Sequence, residues 1–229
     1  MAASIVAKQI IPDVGTATFT LSVNNANASP MYVIVPYQGS SISGVTFNGD
    51  AFSSMGASFD SAGVVEIQAW KLLNPDITTA NVVVTFLAAP NGGAVPVVVT
   101  TSGVDQTSGN RTLYTRTDSD GTGPGLTVVD SQNGDIVLHG AAVYAATITF
   151  DGGESATSNN NHGGSGYSAG VSEKAATGAN TAVGCADVAT YVELAFALIP
   201  SAGGSTVAMG GSAVTGGSGT NAPGITIGL

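Results

Sequence analysis

The sequence predicts an all-β protein, built as a two-sheet antiparallel β-sandwich of jelly-roll type with an extended Gly-rich C-terminal arm. Apolar and polar residues alternate over many short segments, as they do in strands that bury one face. No segment combines a helical period with capping residues. The 32 glycines, with many Ser and Thr residues, supply turns and weaken helices. About ten short strands at this spacing fit two packed sheets.

The alternation is clearest in TATFTLSV, VEIQAW and YVELAFAL, which begin at residues 16, 65 and 191. The residues predicted to face the core are Ala17, Phe19, Leu21, Val23, Val65, Ile67, Ala69, Val192, Leu194, Phe196 and Leu198. The residues predicted to face away from it are Glu66, Gln68, Tyr191 and Glu193. Further predicted strands are MYVIVPY, SGVTFNG, NVVVTFL, AVPVVVTT, GLTVV, GDIVLHGAAV and AATITF. Residues 152–166 are predicted to form a long polar loop.

We expect one β-sandwich domain over residues 1–200, with the strands of residues 1–29 available for assembly, and a C-terminal arm over residues 201–229. The arm holds nine glycines in 29 positions, and each ordered residue costs about 1–2 kcal/mol of backbone entropy. It should therefore be disordered alone or gain order on another surface. Its last residues alternate again, which makes Ile225, Ile227 and Leu229 candidate interface residues for addition to a neighbouring sheet edge. Folding back on its own domain is the alternative.

Charge is scarce, and this limits the possible partners. Charged residues make up 9% of the chain, where about 25% is usual for soluble domains. Such a surface suggests cover by neighbouring subunits, and an acidic secreted or surface protein is the alternative. The net charge of −10 argues against contact with nucleic acid or an anionic membrane. The single cysteine, Cys185, cannot form an internal disulfide and is expected to be buried. Lys8 interrupts the apolar run that a signal peptide would need, and no segment is long enough to span a membrane.

The order of motifs over residues 30–200 resembles a known family. The run YVIVPYQGSSISGVTFNGDAF is followed by VEIQAWKLLNPDITTANVVVTF, SGVDQTS, NGDIVLHGAAV and YVELAFALIP. This order is similar to a jelly-roll-like β-sandwich domain of bacteriophage virion structural proteins, either capsid decoration (cement) or tail proteins, which also occurs in bacterial surface proteins. The resemblance implies a structural or adhesive module and supplies no catalytic residue.

The candidates for metal chemistry are few. His139 and His162 lack a second His or Cys at ligand spacing, which argues against a zinc site. Asp118 and Asp120 alternate before a glycine, as calcium ligands do, but Val129 stands where an EF-hand loop needs a bidentate glutamate. We expect a polar turn there, and we expect no cofactor.

The candidates for catalysis are equally weak. No G-x-S-x-G elbow supports a Ser-His-Asp triad. Glu66 and Glu193 could form the carboxylate pair of a sandwich glycosidase, although two solvent-facing glutamates are the simpler interpretation. Trp70 and the tyrosines could form a sugar-stacking platform, although core and interface roles are more common. The six tyrosines are Tyr32, Tyr37, Tyr114, Tyr144, Tyr167 and Tyr191.

The sequence therefore predicts a protein without enzymatic activity that acts in a virion assembled in the host cytoplasm. The expected function is that of a capsid decoration or cement protein, which stabilises the shell by β contacts between subunits. The expected partners are further copies of the chain, as a homotrimer, and the major capsid protein or other virion proteins. The alternative is a carbohydrate- or receptor-binding module of a phage tail or bacterial surface protein, which would make a glycan a partner.

Overall fold

The computed structural model describes residues 2–11, 16–60, 65–118, 125–144, 146–162, 167–186 and 190–202. These residues form sixteen strands and no helix, so the predicted all-β sandwich is confirmed. The strands are β1 (Ser4–Ile10), β2 (Thr18–Asn25), β3 (Met31–Tyr37), β4 (Ile42–Phe47), β5 (Asp50–Ala51), β6 (Ser53–Phe59), β7 (Glu66–Leu72), β8 (Thr78–Phe86), β9 (Val97–Ser102), β10 (Tyr114–Asp118), β11 (Leu126–Val128), β12 (Ile136–Tyr144), β13 (Ser155–His162), β14 (Tyr167–Ala175), β15 (Thr181–Val183) and β16 (Tyr191–Leu198).

The strands pair antiparallel in four sheets, which we number in the order in which they stack. Sheet I has the order β2-β8-β4-β5, and sheet II has the order β1-β9-β3-β7-β6. Sheet III has the order β10-β16-β12-β14-β13, and sheet IV is the pair β11-β15. The jelly-roll type of connection stays a prediction.

Sheet II lies between sheets I and III, because its strands bury both faces. Every residue of β3 is buried. Tyr32 and Ile34 pack toward sheet III, whereas Val33 and Val35 pack toward sheet I. Two sheets were predicted and four are found. Alternation of apolar and polar residues identifies strands with one buried face, which fit two packed sheets. A continuously apolar strand such as MYVIVPY has both faces covered, and this requires further sheets.

The larger core lies between sheets II and III. The apolar row predicted for β16 is buried there, as are the residues that β7 was predicted to turn inward. Tyr32 and Phe196 meet across this core with their ring centroids 5.3 Å apart. The residues that the two sheets contribute include Ile34, Val65, Ile67, Ala69, Val97, Val99, Leu138, Ala142, Val171, Val192, Leu194 and Leu198.

A second core lies between sheets I and II. Phe19 and Val23 of β2 are buried in it, as predicted. The ring of Phe86 packs edge-on against the rings of Phe19 and Tyr37, with both centroid distances at 5.5 Å. Such aromatic pairs stabilise a core by about 0.5–1.5 kcal/mol beyond area burial.

The face of sheet III that points away from sheet II is also covered. Leu126, Val128 and Val183 of sheet IV pack against Val137 and neighbouring residues there. Beside them, Ile148 and Cys185 pack against another part of the same face. The predicted burial of Cys185 is confirmed.

Two local predictions were wrong. Part of the predicted polar loop over residues 152–166 is strand β13, which pairs with β14, because an edge strand can have polar side chains when its backbone finds a partner. The predicted strand AATITF has no strand among its described residues, 146–150. Ile148 is buried against the face of sheet III instead, and Phe150 makes a single bridge to Cys185.

The close approach of sheets II and III at Gly140 is testable by Gly140→Ala. A Cβ there would lie 2.7 Å from Ile34 Cγ2 and 3.0 Å from Ile67 Cδ1. We expect a loss of about 1–3 kcal/mol in the free energy of unfolding, because the packed sheets must move apart. Gly44→Ala on β4 is the matched control, since its Cβ would meet nothing within 4 Å. Equal unfolding midpoints in urea for the two variants would contradict this packing.

Candidate functional site

A buried cluster of ionisable side chains lies on the face of sheet III that sheet IV covers. His139 of β12 contacts two carboxylates, with 3.2 Å between its Nδ1 and Glu154 Oε2 and 3.0 Å between its Nε2 and Glu193 Oε2. All three side chains have an exposed fraction of 0%. We call His139, Glu154, Glu193 and the adjacent Ser172 the Glu-His-Glu cluster.

The strand register of sheet III assembles this cluster. His139 lies directly opposite Ser172 of β14, and Glu193 of β16 pairs two residues further along β12, with Ala141. Because alternate residues share a face, these side chains meet above one surface of the sheet. The Ser172 hydroxyl donates a hydrogen bond to Glu154 Oε2 and lies 3.4 Å from His139 Nδ1.

The remaining carboxylate oxygens accept hydrogen bonds from the backbone of segments next to sheet IV. Gly184, which follows β15, donates its N–H to Glu154 Oε1 at 2.9 Å. Gly125, which precedes β11, donates its N–H to Glu193 Oε1 at 2.8 Å. Each buried carboxylate oxygen therefore has a partner, as buried charges require. The cluster attaches both strands of sheet IV to sheet III.

The partners of the cluster shift its proton equilibria. Burial alone lowers the pKa of His139, but hydrogen bonds and charges from Glu154 and Glu193 outweigh burial and raise that pKa above its ordinary value. Burial also acts to raise the pKa of Glu154. Hydrogen bonds from His139, Ser172 and the Gly184 backbone outweigh it, so the pKa of Glu154 is lowered. Both shifts favour an imidazolium beside ionised carboxylate.

The cluster resembles a nucleophilic triad in composition, but its environment does not permit that chemistry. Ser172 and His139 both have 0% exposure, so a substrate carbonyl has no access to the hydroxyl. The hydroxyl proton is also directed to Glu154 and not to the imidazole. A buried, fully hydrogen-bonded cluster of this kind orders and attaches structural elements.

Glu193 was predicted to face solvent, and that prediction was wrong. Its side chain points away from sheet II as expected, but sheet IV and the segments beside it cover that face. Glu66 is half-buried on the opposite side, where its carboxylate accepts a hydrogen bond from Tyr37 and, after burial, helps to raise the pKa of that tyrosine. The two glutamates thus lie on sheets II and III and point in opposite directions. Because packed sheets are about 10 Å apart, their carboxylates lie beyond the roughly 5–9.5 Å that glycosidases use.

Four of the six tyrosines are too deeply buried to belong to a sugar-stacking platform. Tyr32, Tyr37, Tyr167 and Tyr191 have 0% exposure and belong to the interior. Trp70 is half-buried against the core between sheets I and II. These rings therefore have the core role that the sequence also allowed, whereas Tyr114 is partly buried and Tyr144 is exposed.

The structure describes two of the other candidate residues, each at the end of a strand. His162 ends β13, and Asp118 ends β10. Asp120 and the interface candidates Ile225, Ile227 and Leu229 lie outside the described residues. Within the described ranges, no group of three or more His, Cys, Asp or Glu side chains is arranged to hold a metal ion.

All five basic side chains of the protein make contacts within the molecule. Lys8 of β1 pairs with Glu173 of β14, which links sheets II and III. The Arg111 guanidinium contacts both carboxylate oxygens of Asp135, at 2.6 and 3.3 Å. The other three donate to backbone carbonyl groups: Lys71 to Ser108, Arg116 to Gly125 and Lys174 to Ala182. Positive charge thus connects elements of the fold, while fifteen acids give the molecule its charge of −10.

Comparisons of the chain with protein-family models, with curated proteins and with solved structures find no match. Over the described residues, no helix is both long and apolar enough to cross a membrane.

Sequence reasoning missed the Glu-His-Glu cluster, although one signal pointed to it. His139 interrupts the apolar strand GDIVLHGAAV, and a histidine in such a strand needs a buried polar partner. Glu154 lies in a Gly-rich stretch that reads as a loop, so its role depends on a contact between residues distant in sequence.

His139→Leu tests the structural role of the cluster. The variant leaves two buried carboxylates without their cation, and we expect the free energy of unfolding to fall by about 3–5 kcal/mol. The control combines His139→Leu with Glu154→Met and Glu193→Met, which removes the charges together and should recover part of the loss. Urea denaturation measures both. A single variant as stable as the parent would contradict the role.

The stabilisation by the cluster should also depend on pH. The His139 contribution is fully present below its ordinary pKa of 6.5 and is lost as pH rises through the raised pKa of the folded state. The Glu154 contribution is present above 4.5 and is lost as pH falls through the lowered pKa of the folded state. We therefore expect the stability difference between the parent and His139→Gln to be largest between about pH 4.5 and 6.5 and to shrink at higher pH. Urea titrations at several pH values measure this, and a difference that grows with pH would contradict it.

Proposed function

We propose that this protein is a structural subunit of a bacteriophage virion, most specifically a decoration or cement protein that stabilises a capsid shell through β contacts between subunits. The observation that supports this most is the use of charge. Every basic side chain makes a contact within the molecule, and fifteen acids against five bases leave a surface that is mostly uncharged and net acidic. Such a surface suits a neighbour of its own kind and repels packaged nucleic acid.

The outer face of sheet I carries uncharged polar side chains on the strands β2 and β8. β2 exposes Thr18, Thr20, Ser22 and Asn24, and the adjacent β8 exposes Thr79 and Asn81. None of these residues is charged. A sheet face of short polar side chains allows close approach of another protein without the cost of burying a charge.

The interior supports the same proposal. Lys8–Glu173 joins sheets II and III, and the Glu-His-Glu cluster attaches sheet IV to sheet III. Arg111–Asp135 joins the segments that precede β10 and β12. Breaking one side of a buried ion pair typically costs about 3–5 kcal/mol. A protein whose sheets are joined by such contacts resists local unfolding under mechanical load. A protein that stabilises a shell requires this resistance.

The partners in this proposal are further copies of the chain, as a trimer, and the major capsid protein. β1 and β2 pair with β9 and β8 of the same chain, and of these two N-terminal strands β2 contributes its free edge to assembly. The C-terminal arm contributes the apolar residues of its last segment.

Sedimentation and shell-binding measurements test the proposal. We expect a concentration-dependent oligomer and saturable binding to purified phage shells. Both affinities should change by less than about threefold between 0.05 and 0.5 M NaCl, since contacts between uncharged surfaces are little screened. Duplex DNA at the same concentrations is the control and should not bind.

A protein that stays monomeric and leaves shells bare would contradict the proposal. If that protein bound a glycan array instead, the carbohydrate- or receptor-binding alternative would replace it.

A further inference from the structure

The edge of sheet I at β2 differs from every other sheet edge that the structure describes. β2 has eight residues, from Thr18 to Asn25, and pairs with β8 in unbroken register along its whole length. It contains no charged residue and no proline. Proteins normally protect a long edge strand with such residues, with a bulge or with a covering segment, because an open edge pairs with other chains.

The other long edges carry this protection. β1 has a register shift between Ile5 and Ala7 and carries Lys8, while β6 has a shift between Ser54 and Gly56. The edge strand β13 has a shift between Asn159 and His162. β10 has only five residues and includes Arg116 and Asp118, and β5 has two residues.

The backbone groups of β2 that face its free edge can be identified. Phe86 of β8 donates its N–H to the carbonyl oxygen of Ala17 at 2.8 Å, so the odd-numbered residues of β2 pair with β8. The even-numbered residues then direct their N–H and C=O groups away from β8. Thr18 confirms this, since its C=O and N–H both contact the Thr16 hydroxyl outside the ladder. Thr20 and Ser22 follow with the same orientation.

The side chains of β2 also suit a further strand. Phe19 and Val23 are fully buried toward sheet II, whereas Leu21 between them is only partly buried at the margin of the core. An added strand with apolar residues on its inner side would cover Leu21. Threonine or glycine on its outer side would continue the polar face of sheet I.

We propose that the free edge of β2 binds residues 224–229 of a second copy of this chain as an added strand, which rests on the assembly function proposed above. The segment GITIGL places Ile225, Ile227 and Leu229 on one side and Thr226 and Gly228 on the other. Its apolar side extends the core between sheets I and II, and its backbone pairs with Thr20 and Ser22. The segment contains no charged side chain, which matches the uncharged edge.

The length of the arm allows its last segment to reach a second copy of the chain. Ser201 donates its N–H to Gly103, and Thr101 donates its hydroxyl to Pro30, so the arm begins beside the loop that follows β2. The 21 residues between this anchor and the segment, 203–223, reach roughly 70 Å when extended. That reach is sufficient to span from this anchor to the β2 edge of a neighbouring molecule in an oligomer.

A mixed-isotope crosslinking experiment tests the assignment on the full-length protein. A photo-reactive amino acid replaces Thr226, and equal amounts of ¹⁴N and ¹⁵N protein are mixed before irradiation. Mass spectrometry should find crosslinks between chains of different isotope, located within residues 17–25. Crosslinks only within one chain, or only outside that range, would overturn the proposal.

Two pairs of variants measure the effect on self-association by sedimentation. Ile227→Lys places a charge on the apolar side of the segment and should weaken self-association at least tenfold, whereas Thr226→Lys, on the outer side, should change it less than threefold. Ser22→Pro removes an outward N–H without removing a bond to β8 and should also weaken it at least tenfold. Ser22→Ala is its matched control. The two lysine variants leave the body of the protein unchanged, so they test the proposal even if Ser22→Pro fails to fold.

The outcomes separate this inference from the proposed function. If self-association and shell binding persist unchanged in Ile227→Lys, the assembly function stands and the β2 edge is not the acceptor. If the parent protein neither self-associates nor binds shells, the proposed function itself fails. If self-association is lost in Ile227→Lys and retained in Thr226→Lys, the result supports both the β2 edge as acceptor and the proposed function.

Discussion

Sheet II has apolar side chains on both faces, and excluding water from both requires a sheet on each side. β3 is buried at all seven positions, so sheets I and III must cover it from opposite directions. Sheet III then meets the same requirement on its far side, where sheet IV and the segments around Ile148 and Cys185 cover it. The stack ends where a sheet face becomes polar, as on the exposed side of β2 and β8.

Because the sheets are stacked, some ionisable side chains lie far from water. Such side chains must pair with one another or with backbone groups. Glu193 and His139 belong to strands that are covered on both faces, so their charges must be balanced inside. The backbone N–H groups of Gly125 and Gly184 complete the set. The buried charges thereby attach the smallest sheet, which has little apolar area of its own, to the rest of the body.

The small number of basic side chains also affects the chemistry of the surface. The sequence has five basic side chains, and each of them makes a contact within the molecule. The surface is therefore rich in hydroxyl, amide and carboxylate groups. The unprotected edge of β2 is the part of this surface where backbone pairing is most accessible, since the other long edges are bent or charged.

Local pattern by itself determined the secondary structure class, most strands and the inward rows of β2, β7 and β16, because a two-residue period directly reports which side of a strand is apolar. It also indicated the burial of Cys185 and the scarcity of charge. Only the tertiary structure decided how many sheets stack, that Ser155–His162 is a strand, and that Glu193 is buried beside His139 and Glu154. These features depend on which distant segment covers a given face, and a side chain has the same sequence pattern whether that face meets water or another sheet.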